Sequence, residues 1–227
     1  MTPKPSDDVT AKAFVSCFEM ISREHASSVP KREVFALARA FQQMPVSEVI
    51  KLLQTKSADH RLGAVSILDW KARDKKTSVE EREAIYRTYI EQHAWIDDWG
   101  MVDRAAPYVV GGYLYDKPRD PLYELAKSEH AMERRTAIVS TYYFIRKNDV
   151  KDSFGIAEIL VDDQDEYVQK AVGSWIREAG KRDEQRLEAF LERHAATMPR
   201  IMLRYAIEKL DRSERDRYLG MKKHSNT

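Results

Sequence analysis

One short segment of the chain combines an aromatic ring and a carboxylate at helical spacing. In WIDDWGMVD, residues 95–103, Trp99 and Asp103 are four residues apart, which places them on the same face of a helix. A cationic ligand is attracted both by the quadrupole of an aromatic ring and by the charge of a carboxylate. The pair therefore indicates a site for a positively charged group. The alternative is that Trp99 is a core residue and Asp97 or Asp98 only caps the helix.

A second candidate is Arg135, in the segment ERRTAI at 133–138. An arginine at the start of a helix opposes the helix dipole, which disfavours positive charge there. A phosphate bound in a concave groove would justify this position. An ion pair with a carboxylate of a neighbouring repeat explains it equally well.

The segment QKAVGSWIRE, residues 169–178, places a glycine and a tryptophan within a helical pattern. Gly173 costs a helix about 1 kcal/mol relative to alanine, so we expect another backbone to approach closely at this position. Trp175 is a second tryptophan on an expected inner helix, although tryptophan mostly serves packing.

The sequence lacks the ligand spacings and glycine-rich motifs that are typical of metal and nucleotide sites. The six histidines show no HExxH or other ligand spacing, and neither GxGxxG nor GxxxxGK[ST] occurs. The single cysteine, Cys17, excludes an internal disulfide framework and a cysteine-based zinc cluster. We therefore expect no metal and no cofactor.

Helices must position these residues, because apolar residues recur at three- and four-residue spacing almost throughout. Clear examples lie at 34–41, 138–145 and 187–191. Eight glycines and eight prolines in 227 residues are too few for the many turns of a β-sandwich or barrel. The predicted fold class is all-α.

An internal repeat refines that prediction. Three small-apolar pairs at 137–138, 171–172 and 206–207 lie 34 and 35 residues apart, and such a period accommodates two helices and two turns. We expect an α-solenoid of HEAT-like helical hairpin repeats, with binding residues on a concave face. A generic helical bundle is the alternative.

We expect one repeat domain over residues 9–219, between a polar lead-in at 1–8 and a polar tail at 220–227.

Composition and charge indicate where the protein acts and what it can bind. No run of 18 apolar residues occurs, so we expect no membrane span. The single cysteine favours a reducing compartment, and we expect a cytoplasmic protein. With 38 basic and 37 acidic residues the net charge is +1, so any nucleic-acid binding depends on where the charges sit.

Four segments, at 96–107, 134–147, 167–183 and 198–210, match a known family in order and spacing. Together they resemble the DNA alkylation repair family of HEAT-like glycosylases, the AlkD-like group, and the resemblance runs over about 29–219. It implies removal of N3- and N7-alkylated purines from duplex DNA by hydrolysis of the N-glycosidic bond, the first step of base excision repair. It also implies a monofunctional enzyme that is associated with the nucleoid when bound to DNA, and we expect a monomer.

The same resemblance assigns roles to individual residues. The family's catalytic aspartate falls on Asp103, its tryptophan four residues earlier falls on Trp99, and its arginine near the DNA backbone falls on Arg135. The enzyme's task is then to stabilise a developing deoxyribose cation and to supply water. Further candidates for contact with DNA phosphates are Lys170, Arg177 and Arg204.

The chain departs from the family pattern at one aromatic position. The family's glycine in the QKA-x-G block is usually followed directly by tryptophan, whereas here Ser174 holds that place. Trp175 comes one residue later, rotated by about 100° on an ideal helix. Trp175 either lines the lesion or belongs to the core, which affects lesion scope more than the basic chemistry.

A non-catalytic HEAT-like module that binds branched DNA or a protein partner is the competing interpretation. The near-neutral net charge supports it. Relatives that bind unusual DNA without excising bases lack the aspartate–tryptophan pair, and the presence of both Trp99 and Asp103 favours an enzyme.

Overall fold

The computed structural model describes residues 9–221. The expected lead-in at 1–8 and the tail residues 222–227 lie outside this range. All regular structure in the described range is helical, without a β-strand, which confirms the all-α prediction. The chain divides into two compact units, Met1–Tyr113 and Leu114–Thr227. No helix in the described range is long and apolar enough to cross a membrane.

The first unit is a set of helices packed around α4. Its helices are α1 (Ala11–Arg23), α2 (Lys31–Ala40), α3 (Val46–Leu53), α4 (Ala58–Arg73), α5 (Val79–Glu91) and α6 (Trp99–Ala106), with a 3₁₀ turn at His93–Trp95 and a π-helical turn at Pro107–Gly111. The short α7 (Gly112–Leu114) begins in this unit and ends on the first residue of the second. Helix α4 contacts α2, α3, α5 and α6. Between Arg61 and Ala72 its residues are buried on all sides, Trp70 excepted, as expected of a central helix.

Local sequence signals explain where the helices of the first unit begin. The hydroxyl oxygens of Thr10, Ser57 and Ser78 accept hydrogen bonds from backbone N–H groups of α1, α4 and α5, at 3.2, 3.3 and 3.2 Å. These are side-chain caps for otherwise unsatisfied donors. Pro30 and Pro45 immediately precede α2 and α3, where a residue without a backbone N–H is tolerated.

The second unit contains the repeated sequence pairs. Its helices are α8 (Asp120–Leu125), α9 (Ala131–Ser140), α10 (Tyr142–Ile145), α11 (Lys151–Ile159), α12 (Glu166–Gly180), α13 (Glu184–His194), α14 (Arg200–Ala206) and α15 (Arg212–Gly220). The pairs at 137–138 and 171–172 lie on α9 and α12, and the pair at 206–207 lies at the end of α14. Helix α12 packs against both α9 and α14. Residues at the repeat spacing thus lie on helices that pack side by side.

The prediction of close backbone approach at Gly173 is confirmed. A Cβ placed on Gly173 would overlap the carbonyl oxygen of Met202 and would lie 2.7 Å from the Cβ of Tyr205. Glycine therefore allows α12 and α14 to pack closely.

The prediction that Arg135 stands at the start of a helix is wrong. Helix α9 begins at Ala131, and no side chain caps it at His130. Arg135 therefore lies in the second turn, where the helix dipole has little effect.

Candidate functional site

Trp99 and Asp103 both belong to α6, an eight-residue helix whose first residue is Trp99. The carboxylate of Asp98 accepts a hydrogen bond from the N–H of Gly100 at 2.8 Å, so Asp98 is the cap of this helix. Trp99 is 40% exposed and Asp103 is half-buried. The alternative that Trp99 is a core residue is therefore wrong, and one helix positions the ring and the carboxylate on the same face.

The segment that leads into α6 is fastened to α4 by Arg61. Its guanidinium donates hydrogen bonds to both oxygens of the Asp97 carboxylate, at 2.9 and 3.0 Å. It also donates to the backbone carbonyls of Thr55 and Lys56, at 3.1 and 3.0 Å. Asp97 is thus an anchor for the start of α6 rather than its cap. Sequence reasoning did not identify Arg61, which is 36 residues from its partner.

The end of α6 is set by Pro107. In a regular α-helix the N–H of this position would bond the carbonyl of Asp103, and proline has no N–H to donate. The chain continues as a wider π-helical turn, Pro107–Gly111, a geometry often found at functional sites. Asp103 therefore lies one turn before a change in helix geometry.

A buried ion pair holds the side of α6 against α4. The carboxylate of Asp69 has no exposed surface, and its Oδ2 lies 3.0 Å from Nη2 of Arg104, the residue after Asp103. Arg73 donates to the same carboxylate through Nε, at 2.8 and 2.9 Å. The Cζ atom of Arg104 lies 4.8 Å from the ring centroid of Phe35 and 4.9 Å from that of Trp70.

Burial dominates the electrostatics of this cluster. It raises the pKa of Asp69 above the usual aspartate value, even though Arg104 and Arg73 both favour the ionised form. Burial likewise lowers the pKa of Arg104. Sequence analysis did not identify the cluster, although the four-residue spacing of Asp69 and Arg73 on α4 is a pattern typical of ion pairs.

A family model described as DNA alkylation repair enzyme matches residues 6–210. The chain belongs to this family. The match confirms the resemblance drawn from the four sequence segments, and it includes Trp99 and Asp103. Among curated proteins and among solved structures, nothing matches the chain.

The second unit of this DNA alkylation repair family member carries the predicted DNA contacts. Arg135 is 7% exposed, and its guanidinium donates a hydrogen bond to the carbonyl of Tyr167. Its neighbour Arg134 forms an ion pair with Asp163 at 2.6 Å. A phosphate contact of Arg135 stays a prediction.

The three other basic candidates differ in how they are paired. Lys170 forms an ion pair with Glu166, and this hydrogen bond raises the pKa of Lys170. Arg177 forms an ion pair with Glu208. Arg204 is exposed and has no ion pair with any residue in the described range. A phosphate would have to compete with a carboxylate at Lys170 and Arg177, but not at Arg204.

Trp175 is half-buried on α12, and its ring centroid lies 4.9 Å from that of Tyr142 at an interplanar angle of 38°. Tyr142 is a neighbour that the sequence did not indicate. This contact accounts for part of the Trp175 ring, and a role for Trp175 in lining a lesion stays a prediction.

Within the described range, no group of three His, Cys, Asp or Glu side chains is placed to hold a metal ion. The structure brings Trp99 and Asp103 together in the first unit. Arg135, Lys170, Trp175, Arg177 and Arg204 belong to the second unit.

Proposed function

We propose that the chain is a DNA glycosylase that excises cationic N3- and N7-alkylated purines from duplex DNA. One observation carries the proposal: in a member of the DNA alkylation repair family, the exposed ring of Trp99 lies one helical turn from the carboxylate of Asp103. A ring and a carboxylate on one face are suited to a cationic group.

The proposed reaction is hydrolysis of the N-glycosidic bond. The alkylated purine already carries a positive charge, so it leaves as a neutral base when it takes the bonding electron pair from C1′. Asp103, as an ionised carboxylate, stabilises the positive charge that develops on the deoxyribose. Asp103 also orients water, whose oxygen bonds to C1′ as a proton is released. No lysine nucleophile takes part, so the product keeps an intact strand with an abasic site.

For DNA binding we propose a HEAT-like solenoid with a concave face, and we propose that the protein acts as a monomer. The side-by-side packing of α9, α12 and α14 supports repeated hairpins. Each of these helices carries a basic candidate: Arg135 on α9, Lys170 and Arg177 on α12, and Arg204 on α14. Contacts of this kind to phosphates supply affinity that falls steeply with salt.

The test is release of 7-methylguanine and 3-methyladenine from methylated duplex DNA by the wild type, Asp103→Asn and Asp116→Asn. Asp116 is an exposed aspartate paired with Lys117 and serves as the matched control. We expect release by the wild type and Asp116→Asn, no release by Asp103→Asn, and similar DNA affinity for all three. Full turnover by Asp103→Asn would disprove the role of its carboxylate.

A non-catalytic module that binds branched DNA or a protein partner is the second candidate. It is favoured by the near balance of 38 basic and 37 acidic residues and by the carboxylate partners of Lys170 and Arg177. Binding of methylated duplex without base release by the wild type would favour this candidate, and branched DNA would then be the substrate to test.

A further inference from the structure

The ring of Trp99 lies next to a cation supplied by the protein itself. The ammonium nitrogen of Lys31 is 5.2 Å from the ring centroid, within the range of a cation–π interaction. Lys31 is the exposed first residue of α2, and Trp99 is the first residue of α6. Two helix N-termini of the same unit therefore place an ammonium group over the ring of the candidate site.

Because Gly100 has no side chain, there is room for this ammonium group beside the first turn of α6. A Cβ on Gly100 would lie 3.2 Å from Nζ of Lys31 and 2.8 Å from the Asp98 carboxylate oxygen that caps α6. A side chain at this position would crowd both groups. Trp99 and Gly100 together thus form a seat for a cationic group at the first turn of α6.

The interactions that hold Lys31 in this seat are weak ones. Within residues 9–221, Lys31 has no ion pair with a carboxylate, and its partner is the π-face of an exposed ring. The ammonium group can therefore leave the seat when a partner with full negative charge is offered.

We propose that Lys31 is an exchangeable cation of the lesion site. In the free protein its ammonium group covers Trp99, and in the complex it moves to a DNA phosphate while the positive charge of the lesion nucleotide faces the ring. Two positive groups on one ring face repel each other, whereas duplex DNA presents a dense row of phosphates. This inference rests on the proposed function, because it assigns the Trp99 ring to a cationic lesion.

The experiment compares two duplexes that differ in charge at one site. One carries a pyrrolidine in place of a deoxyribose, which is protonated at neutral pH, and the other carries the neutral tetrahydrofuran of similar shape. Affinities for both are measured over a range of salt concentrations with the wild type, Lys31→Met and Lys75→Met. Lys75 is an exposed lysine between α4 and α5 and is the matched control.

We expect two changes in Lys31→Met and neither in Lys75→Met. The slope of log affinity against log salt becomes shallower by about 1, as for the loss of one phosphate contact. The preference for pyrrolidine over tetrahydrofuran rises severalfold, because no ammonium group competes for the ring. An unchanged slope would overturn the phosphate contact, and an unchanged preference would overturn the exchange.

Base release by the wild type separates this inference from the proposed function. The role of Lys31 alone would be rejected if the wild type released 7-methylguanine while Lys31→Met kept the wild-type salt slope and the wild-type preference for pyrrolidine. If the wild type binds both duplexes but releases no base from methylated DNA, the glycosylase proposal is rejected. The salt slope and the pyrrolidine preference of Lys31→Met would still decide whether its ammonium group is exchanged. Because Lys31 is exposed, the thermal unfolding of Lys31→Met should match that of the wild type, which confirms that the comparison concerns binding.

Discussion

The buried carboxylate of Asp69 on α4 is paired with Arg104 on α6, with Oδ2 and Nη2 3.0 Å apart. Arg104 directly follows Asp103 in the chain, so the ion pair fixes the backbone that carries the proposed catalytic carboxylate. Arg61 and Asp97 fix the other end of the same helix. The ring and carboxylate of the candidate site therefore rest on a helix held by charged contacts at both ends.

Replacing Asp69 by alanine should lower the free energy of unfolding by about 3–5 kcal/mol, because two arginines would lose their buried counter-charge. Chemical denaturation measures the loss. The matched control is Glu83→Ala, which breaks the exposed pair with Arg87 and should cost about 0.5 kcal/mol. Equal losses in the two variants would show that the buried cluster contributes no more than a surface pair.

Arg135→Ala should weaken DNA binding and make its salt dependence shallower by about 1 in the log–log slope, as for one lost phosphate contact. Because Arg135 is buried and bonded to the carbonyl of Tyr167, the unfolding free energy of the variant must be measured alongside. Arg204→Ala tests an exposed arginine in the same way, and Arg186→Ala on α13 is the control. An unchanged slope in Arg135→Ala would remove this residue from the DNA contacts.

Gly173→Ala should destabilise the protein by about 1–3 kcal/mol, because the added methyl group overpacks a well-filled contact. The opposing atoms belong to the Met202 backbone and to the Cβ of Tyr205, which cannot turn aside as the end of a side chain can. Gly220→Ala is the matched control, since no other part of the described range 9–221 lies within 4 Å of its added Cβ. Similar melting temperatures for the two variants would contradict close packing of α12 on α14.

Tyr218 should make the free energy of unfolding depend on pH in the alkaline range. Burial, together with a hydrogen bond to Glu192, raises the pKa of Tyr218 from 10.0 to about 12. A raised pKa means that the folded state favours the neutral phenol, so this stabilisation is complete below pH 10 and is lost as pH rises toward 12. Tyr218→Phe should therefore lose less stability than the wild type over that range. Parallel curves of unfolding free energy against pH would refute this.

Local rules account for what the sequence predicts correctly. The helical period gives the all-α class, the aspartate before Trp99 gives the cap of α6, and glycine within a helix gives the close contact at Gly173. The pairs Arg61–Asp97 and Asp69–Arg104 depend on how α4 packs against α6, and helical spacing carries no signal for that. The expectation that Arg135 stands at a helix start differs from the structure because no capping side chain marks the start of α9 at Ala131.

Because the candidate residues are divided between two units, the two sets can be changed independently. Trp99 and Asp103 share one short helix of the first unit, while Trp175 and the basic candidates belong to the second. Under the proposed function, substitutions in the second unit can therefore alter contacts to the substrate without changing the spacing of ring and carboxylate on α6. Trp175, one residue after Ser174, belongs to this second set.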